Sequence, residues 1–433
     1  MPAQPHLEAA LGKTTWRLIP FMFLLYVVAY LDRVNVGFAQ LQMKSSLGLS
    51  EAAYGFGAGL FFIGYFLFEV PSNLLLERFG PRRWIARIMI SWGVLSSATM
   101  LVRGEASFYL LRFLLGLAEA GFFPGMILYL TYWFPPRERA SAVARFMTAI
   151  GLSLVVGGPL SGAIMDGLQG RLGLHGWQWL FLLEGVPSVL LGFVVLVALP
   201  DKPAEVTWLR PEEKAALAEA LRAKSGSSPQ RDVSKLRDAL ADGRVWLLSV
   251  IYFAFAMALY GLTLWVPQII KDVAGGTTLR IGLLSAIPYL LAAACMVFWG
   301  RRADRTGRHR ASLAIAVLVA VTGLIGAALL LHAGRVPMLV ALSVGVVGLF
   351  CTFGPFWAVP AGFLRGTAAA GGIAVINSFG NLGGFVSPWV VGLVKKHTGS
   401  FAGGIFIIAG ALTVALLLIV LAVRDPERVD ASS

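Results

Sequence analysis

The sequence predicts an all-α integral membrane protein with twelve transmembrane helices in two six-helix bundles. The first observation is composition: 57% of the 433 residues are hydrophobic and 14% are charged, whereas soluble domains average about 25% charged residues. The second is the set of apolar runs, because a bilayer core of about 30 Å needs about 20 apolar helical residues to cross it. The third is an internal repeat that relates the two halves of the chain.

The apolar runs fall into two sets of six. The first set lies near 17–40, 53–76, 84–102, 107–130, 142–166 and 177–199, and the second near 246–270, 279–299, 311–332, 336–363, 370–394 and 402–423. In the polar stretch between them, Pro211 and the two glutamates after it indicate a short helix that closes around Arg222. We therefore predict an N-terminal bundle at 1–199, a linker with a short amphipathic helix at 200–243, and a C-terminal bundle at 244–433.

The positions of lysine and arginine predict the orientation in the membrane. Most of the 36 basic residues lie in or beside segments on the side of the two termini, and such segments are usually cytoplasmic. We therefore expect a multi-pass protein of the plasma (bacterial inner) membrane with both termini in the cytoplasm. The net charge of +13 is spread between spans rather than gathered on one soluble face. The lipid bilayer is thus an expected partner and nucleic acid is not.

The internal repeat lies in two polar loops, NLLLERFGPRR (73–83) and GRRADRTGRHR (300–310). Each loop has an acid, Glu77 or Asp304, followed by an arginine, Arg78 or Arg305, with an offset of 227 residues. Two duplicated six-span halves suit alternating access, in which one half rocks against the other around a central site. We expect these four residues to act as a conformational gate that locks the inner face in one state.

These loops also carry a family resemblance. GRRADRTGRHR resembles the loop signature of the major facilitator superfamily, and 73–83 is a variant with Asn73 for the usual Gly and Glu77 for Asp. The strings YLDRVNVGFA (30–39), FFIGYFLFEVPSNLLLERFG (61–80), RFLLGLAEAGFFPG (112–125) and GWQWLFLLEGVP (176–187) resemble its anion:cation symporter branch. That branch includes bacterial carriers of galactonate, tartrate and phthalate, sialin, and the vesicular glutamate transporters. The resemblance covers nearly the whole chain and implies the major facilitator fold with inverted repeats.

Four ionisable side chains lie inside predicted spans, where each costs about 3 kcal/mol on insertion scales. Arg33 lies in the outer half of the first span, and Arg112 lies near the outer end of the fourth. A guanidinium group holds a carboxylate bidentately and does not release its proton, so both arginines are predicted to bind an anionic substrate. Asp32 and Glu119 are predicted to couple transport to protons. The alternative is that each arginine only neutralises a neighbouring acid in a static ion pair.

Glu119 follows Arg112 by seven residues, two helical turns, and so lies on nearly the same face. Burial favours a neutral carboxyl group and a nearby arginine favours a carboxylate. An anion that takes the arginine would therefore free the acid to take a proton. The resemblance implies these roles, because the residues matching Asp32, Arg33, Arg112 and Glu119 have them in bacterial sugar-acid symporters. It also implies transport driven by a proton gradient without a cofactor.

The second half has no acid or base deep in a predicted span, so it can offer only neutral contacts. Gln268, Trp357, Asn377 and Asn381 are the best placed, and the two asparagines lie on one helix face. By resemblance, Tyr65, Trp357 and Asn377 match substrate-contacting positions. The alternative for the amides is hydrogen bonding between helices.

Two further acids, Glu69 and Glu184, are more readily explained as structural. Glu69 lies near the inner end of its span, which indicates a role in a cytoplasmic gate or as a backbone cap. Glu184 is predicted to anchor the sixth span. No His-Asp, Cys-His or metal-ligand cluster gathers at one depth in the sequence, so neither an enzyme nor a metal site is expected. A duplicated, charge-bearing central site suits occlusion better than an open channel.

The predicted function is proton-coupled symport of a small organic carboxylate: a sugar acid, a tartrate-like dicarboxylate or an aromatic acid. The alternative is a proton-coupled drug antiporter of the same fold. That alternative predicts a large apolar cavity and a site acid without paired arginines, so Arg33 and Arg112 argue against it. We expect the transporter to be a monomer.

Overall fold

The computed structural model describes residues 3–222, 241–363 and 366–423. Over these residues the regular structure is helical and contains no β-strand. The spans of the N-terminal half are formed, in order, by the helices Ala3–Val34 with Val36–Leu47, Glu51–Phe79, Pro81–Ala98, Glu105–Glu119 with Phe122–Trp133, Pro136–Gly167 and Gly176–Ala198. The spans of the C-terminal half are Gly243–Ala274, Thr278–Thr306, His309–Leu329, Arg335–Phe363, Gly366–Thr398 and Ala402–Ala422.

The described helices fit the predicted layout of twelve spans. Eleven segments in the described part of the chain are long and apolar enough to cross a membrane. The helix Gly366–Thr398, with 33 residues, occupies the place of the remaining predicted run. Consecutive spans therefore alternate in direction, and the two ends of the described chain, Ala3 and Val423, lie on one side of the bundle, which we call the terminal side. The opposite end is called the far side.

The fourth span is interrupted, although the sequence predicted one continuous run. Its first helix ends at Glu119, Ala120 is extended with φ −54° and ψ 133°, and Gly121, with φ 87°, precedes the second helix. A Cβ on Gly121 would lie 2.2 Å from the Ser72 hydroxyl oxygen. Glycine therefore suits this position for two reasons: it tolerates the left-handed backbone conformation and it leaves room for Ser72. Gly121 with Pro124 three residues later was the available signal. The break leaves Glu119 as the last residue of a helix inside the bundle.

Glycines allow the two halves to approach closely along two helix pairs, the second span with the eleventh and the fifth with the eighth. A Cβ on Gly55 would lie 2.2 Å from the Pro388 carbonyl oxygen, and one on Gly282 would lie 2.1 Å from the Gly158 carbonyl oxygen. Such small residues let helix backbones touch within a membrane. Both pairs bring the backbone of one half against the backbone of the other.

Several polar contacts join the two halves near the far side. Lys271 of the seventh span donates to the Leu41 carbonyl at 2.7 Å, and Gln40 donates to the Leu264 carbonyl at 2.5 Å. Asp166 at the end of the fifth span accepts two backbone N–H groups from the first residues of the eighth span, at 3.1 and 2.7 Å. The structure therefore has the far side closed.

The linker helix Pro211–Arg222 is tied to the first helix on the terminal side. The ammonium group of Lys13 donates to both carboxylate oxygens of Glu213, at 2.7 and 2.8 Å. This hydrogen bond, together with one from the Arg210 backbone N–H, holds the pKa of Glu213 below its ordinary value. The ionised carboxyl therefore fastens the linker to the first span.

We expect Glu213→Gln to loosen the linker helix. A carboxyl whose pKa is lowered by folding stabilises the fold above its ordinary pKa of about 4.3, and this contribution is lost as the pH falls through the lowered value. Amide hydrogen exchange over Pro211–Arg222 should be faster in the variant at pH 7, and the difference from wild type should shrink in acid. The neighbouring exposed Glu212 supplies the control, Glu212→Gln. Equal exchange in Glu213→Gln and wild type at pH 7 would show that the contact does not hold the linker.

Candidate functional site

Arg33 and Glu119 of the N-terminal half form a buried ion pair. Nε of Arg33 donates to Oε1 of Glu119 at 2.9 Å, and Nη2 bonds to the same oxygen. The side chains are 10% and 1% exposed. The sequence had placed Glu119 on the face of Arg112, but seven residues separate the two by about 10 Å along the helix. The first span passes Glu119 directly, and so Arg33 becomes its partner.

Aromatic rings surround the Arg33 guanidinium. Its central carbon lies 5.7 Å from the ring centroid of Tyr30, 5.5 Å from that of Phe61 and 5.4 Å from that of Tyr65. Such contacts stabilise a cation that is withdrawn from water. The C-terminal half contributes Tyr260, whose phenol interacts with Arg33 and whose ring centroid lies 4.3 Å from that of Phe62. Arg33 therefore lies where the two halves meet.

Arg112 is buried beside the same aromatic cluster, and the described residues provide too few hydrogen-bond acceptors for its N–H groups. Its residue is 1% exposed, and its central guanidinium carbon lies 5.1 Å from the Phe61 ring centroid. Nη2 donates to the Ala58 carbonyl at 3.3 Å, while Nε and Nη1 have no hydrogen-bond partner among the described residues. A buried charged donor without an acceptor is costly. This guanidinium is therefore suited to receive a carboxylate.

Asp32 points away from Arg33 into the interior of the N-terminal bundle. Its Oδ2 accepts from the Trp92 indole at 2.7 Å and from the Ser188 hydroxyl at 2.8 Å, and its Oδ1 accepts from the Ser96 hydroxyl at 2.7 Å. Successive residues on an α-helix are about 100° apart, so Asp32 and Arg33 project in different directions. Arg33 therefore neutralises Glu119 and not its neighbour in sequence.

Glu69 links the two halves through side-chain hydrogen bonds. It lies one turn after Tyr65 and is buried, and its carboxyl group accepts from the Asn377 amide and the Ser378 hydroxyl, both at 3.3 Å. The sequence indicated Asn377 as a substrate contact, and the structure places it against this acid. The spacing of Glu69 from Tyr65 was the signal that could have placed both on one face.

The other predicted contacts lie at different depths. Trp357 is half-buried and its ring centroid lies 5.0 Å from that of Tyr252, while Asn381 is half-buried one turn after Asn377. Gln268 donates to Asp272 at 2.8 Å and lies eight residues after Tyr260, about 12 Å along the helix. The structure does not bring Gln268 to Arg33 but places it near the far-side contacts.

The predicted gate residues lie at span ends on the terminal side. Glu77 and Arg78 occupy the last turn of Glu51–Phe79, where Arg78 lies over the Phe79 ring at 5.5 Å. Arg305 is exposed near the end of Thr278–Thr306, and the side chain of Asp304 lies outside the described residues. Their gating role stays a prediction. The described side chains contain no group of three or more His, Cys, Asp or Glu that could hold a metal ion.

Comparison with known proteins identifies the class. Residues 22–388 match the Major Facilitator Superfamily. A protein of Agrobacterium vitis named a putative tartrate transporter is 49% identical over 427 residues, covering 98% of this chain and 94% of its own length. A quinolone resistance transporter of Acinetobacter baumannii is 43% identical, covering 96% of this chain and 95% of its own. The inward-facing, occupied crystal structure of a bacterial homolog of the human lysosomal transporter Spinster aligns with a TM-score of 0.76 at 16% identity, covering 93% of this chain and 96% of that one.

The fold and the comparisons define a multi-pass membrane transporter rather than an enzyme. The chain belongs to the major facilitator superfamily. The predicted fold class and family are therefore confirmed.

Proposed function

We propose that this protein carries a small organic carboxylate together with protons by alternating access. The observation that carries the proposal is the buried Arg33–Glu119 pair beside Arg112, whose Nε and Nη1 lack acceptors among the described residues. The relative named a putative tartrate transporter, 49% identical over nearly the full length, supports an organic acid as substrate. The roles of the site residues below are part of this proposal.

Competition for arginine couples the anion to the proton. The substrate carboxylate accepts hydrogen bonds from the free donors of Arg112 and replaces Glu119 on Arg33. Glu119, 1% exposed, is then a buried carboxylate without a cation, which is unfavourable unless it binds a proton. Loading the anion therefore loads a proton, and release of either ligand lets Arg33 and Glu119 pair again.

Alternating access follows from the closed far side. The positive-inside distribution of lysine and arginine supports a cytoplasmic terminal side, so the far side faces outward. For the site to face outward, the contacts of Lys271 with Leu41 and of Asp166 with the eighth span have to break. Rocking the halves about the second–eleventh and fifth–eighth helix pairs would open one side as it closes the other. We place the transporter in a bacterial inner membrane as a monomer that uses no cofactor.

The site chemistry restricts the substrate to a few classes. Once Glu119 is protonated, Arg33 and Arg112 present two positive charges, which suit a dicarboxylate or a monocarboxylate with further acceptors. The rings of Tyr65 and Tyr260 offer faces for an aromatic acid or for the apolar face of a sugar acid. Glu69 and Asn377 provide polar groups for substrate hydroxyls nearer the terminal side. Tartrate-like, sugar-acid and aromatic-acid substrates all satisfy these conditions.

A drug–proton antiporter is the second candidate. The quinolone resistance transporter, 43% identical over nearly the full length, is the observation that favours it. Quinolone antibacterials are aromatic carboxylic acids, so Arg33 and Arg112 could bind them as they would bind a metabolite. The two candidates share a site and differ in whether protons and the acid move in the same direction.

The test is uptake by proteoliposomes that contain the purified protein. The panel is galactonate, tartrate, phthalate, 4-hydroxyphenylacetate and a quinolone, each with the proton gradient directed inward or outward. The proposal predicts that at least one metabolite acid accumulates when the gradient is inward. Accumulation only when the proton gradient is directed outward, with the quinolone among the substrates, would favour the antiporter. An absence of proton-driven movement of any acid would overturn the proposal.

We expect Glu119→Gln to separate exchange from accumulation. The amide keeps the shape of a protonated glutamate but cannot bind and release a proton, so exchange of labelled for unlabelled substrate should continue. Accumulation driven by an inward gradient of one pH unit should fall at least about tenfold, because one coupled proton is lost. Glu105→Gln, at an exposed carboxyl in the first turn of the same helix, is the matched control and should behave as wild type. Proton-driven accumulation at the wild-type level in Glu119→Gln would exclude Glu119 as a coupling residue.

A further inference from the structure

Glu184 is a buried acid of the N-terminal half that the coupling mechanism above does not use. It lies in the sixth span and its residue is 5% exposed. The Ser161 hydroxyl of the fifth span donates to Oε1 at 3.2 Å, while Oε2 is buried without a hydrogen-bond partner in the described part of the chain. One long hydrogen bond is poor compensation for a buried negative charge, so this carboxyl is suited to hold a proton.

Asp32 has the opposite surroundings. Its two oxygens accept from Trp92, Ser96 and Ser188 at 2.7 to 2.8 Å, and the Asn35 amide adds a longer contact at 3.4 Å. Four donors match the acceptor capacity of an ionised carboxylate. Asp32 is therefore suited to carry the negative charge of this region.

Asn35 connects the two acids. It lies three residues after Asp32, its amide nitrogen donates to Asp32 Oδ1, and its side chain also interacts with the Glu184 carboxyl. The Asn35 Oδ1 atom is buried without a donor among the described residues, as Glu184 Oε2 is without a partner. A proton on Glu184 provides the O–H donor that this part of the cluster lacks. An amide between a neutral acid and a carboxylate can pass a hydrogen-bond rearrangement from one to the other.

The charges that face the two acids are negative. Glu184 lies one helical turn before Ser188, whose hydroxyl donates to Asp32, so the two acids lie close together. Asp32 is therefore the ionisable group facing Glu184, with Asn35 and Ser161 as the polar neighbours. Asp32 faces Glu184 and, at longer range, Glu119, with Trp92, Ser96 and Ser188 as donors. Arg33 is paired with Glu119, and no lysine or arginine forms an ion pair with Asp32 or Glu184 among the described side chains. Two adjacent buried carboxyl groups without a cation do not both ionise.

We infer that Glu184 and Asp32 form a buried carboxyl pair that holds one exchangeable proton, with Glu184 as a second proton-binding position beside Glu119. This inference rests on the proposed function, because the proton has to leave and return during proton-coupled transport. To add to symport, the pair has to hold its proton while the site is loaded and release it on the side where the substrate leaves. Its proton then moves in the same direction as the substrate.

The test uses Glu184→Gln in the full-length protein, reconstituted with the acid that wild type accumulates. Glutamine reproduces the protonated shape but cannot release a proton. We expect substrate exchange to stay within about twofold of wild type. Accumulation under an inward gradient of about one pH unit should fall about tenfold, because each coupled proton contributes about 1.4 kcal/mol, or tenfold, at that gradient. Accumulation and a pH profile equal to those of wild type would mean that the proton on Glu184 is static, and the inference would be wrong.

Ser161→Ala is the second variant and decides the case if Glu184→Gln does not fold. Removal of this hydroxyl takes away the hydrogen bond from Ser161 to the Glu184 carboxyl without changing any ionisable group. The pH at which uptake declines on the alkaline side should move upward by about one to two units, the size expected for one hydrogen bond to a charged group. An unchanged alkaline limb would count against an exchangeable proton at Glu184. If wild type accumulates no acid under any gradient, the proposed function itself fails; if it does and both variants match it, only the Glu184 inference fails.

Discussion

Arg33→Ala should abolish proton-driven uptake of the organic acid. The substitution removes the predicted anchor for the substrate carboxylate and also leaves Glu119, 1% exposed, without its cation. Removal of one partner of a buried, hydrogen-bonded charge pair costs about 2 to 5 kcal/mol, which corresponds to a loss of affinity of between about 30-fold and several thousand-fold. The measurement is the concentration dependence of uptake and of substrate exchange in proteoliposomes.

Two further variants separate charge from geometry at this position. Arg33→Lys keeps the charge but loses the planar bidentate donors, so it should recover exchange only in part. Arg87→Ala removes an arginine of the third span that lies over Trp84 at 4.0 Å and should leave uptake near wild type. If a folded Arg33→Ala protein showed the same concentration dependence of uptake as wild type, Arg33 would be structural and the anion would bind elsewhere.

Gly55→Leu should stop transport while leaving the outward-facing state accessible. A Cβ at this position would lie 2.2 Å from the Pro388 carbonyl oxygen on the eleventh span, so the second and eleventh spans cannot close against each other as they do here. The contacts of Lys271 with Leu41 and of Asp166 with the eighth span could then not form at the same time. We expect uptake below about a tenth of wild type, because a two-state cycle stops when one state becomes inaccessible.

Thiol labelling can report the state of the far side. Thr263→Cys would place a thiol in a small cavity between the halves that Phe38 and Tyr289 also line, in a chain whose native Cys295 and Cys351 are replaced by serine. A membrane-impermeant reagent added from the far side should label this thiol faster in Gly55→Leu than with Gly55. Gly410→Leu, where a Cβ meets nothing within 4 Å, is the control. Wild-type uptake and labelling in Gly55→Leu would contradict a closed far side held by this helix pair.

The layout of spans was predictable because membrane helices can be identified from their length and apolar composition. The run 177–199 corresponds to Gly176–Ala198, and Pro211 is the first residue of the linker helix, as predicted. The break at Ala120–Gly121 was not predicted, because the apolar run resumes after it and glycine and proline also occur inside unbroken membrane helices. In the structure Gly121 has a left-handed backbone conformation and lies against the Ser72 hydroxyl of the second span.

The ionisable residues of the site were visible in the sequence, but their partners were not. Helical spacing relates residues of one span, and it correctly put Arg112 and Glu119 on one helix while suggesting an interaction between them. The pairing of Glu119 with Arg33, 86 residues away, depends on how two spans cross. The same limit applies to Glu69 with Asn377 and to Asp32 with Trp92, because each pair joins different helices.

Proton uptake on substrate binding tests the central claim most directly. The purified transporter would be titrated with the acid that it accumulates, in weakly buffered solution near pH 7, and the protons bound or released would be counted. Because the anion is proposed to displace Glu119 from Arg33, wild type should take up protons as the acid binds, and Glu119→Gln should take up fewer by about one. Binding of the acid with no net proton uptake, or with the same uptake in Glu119→Gln, would contradict the coupling mechanism.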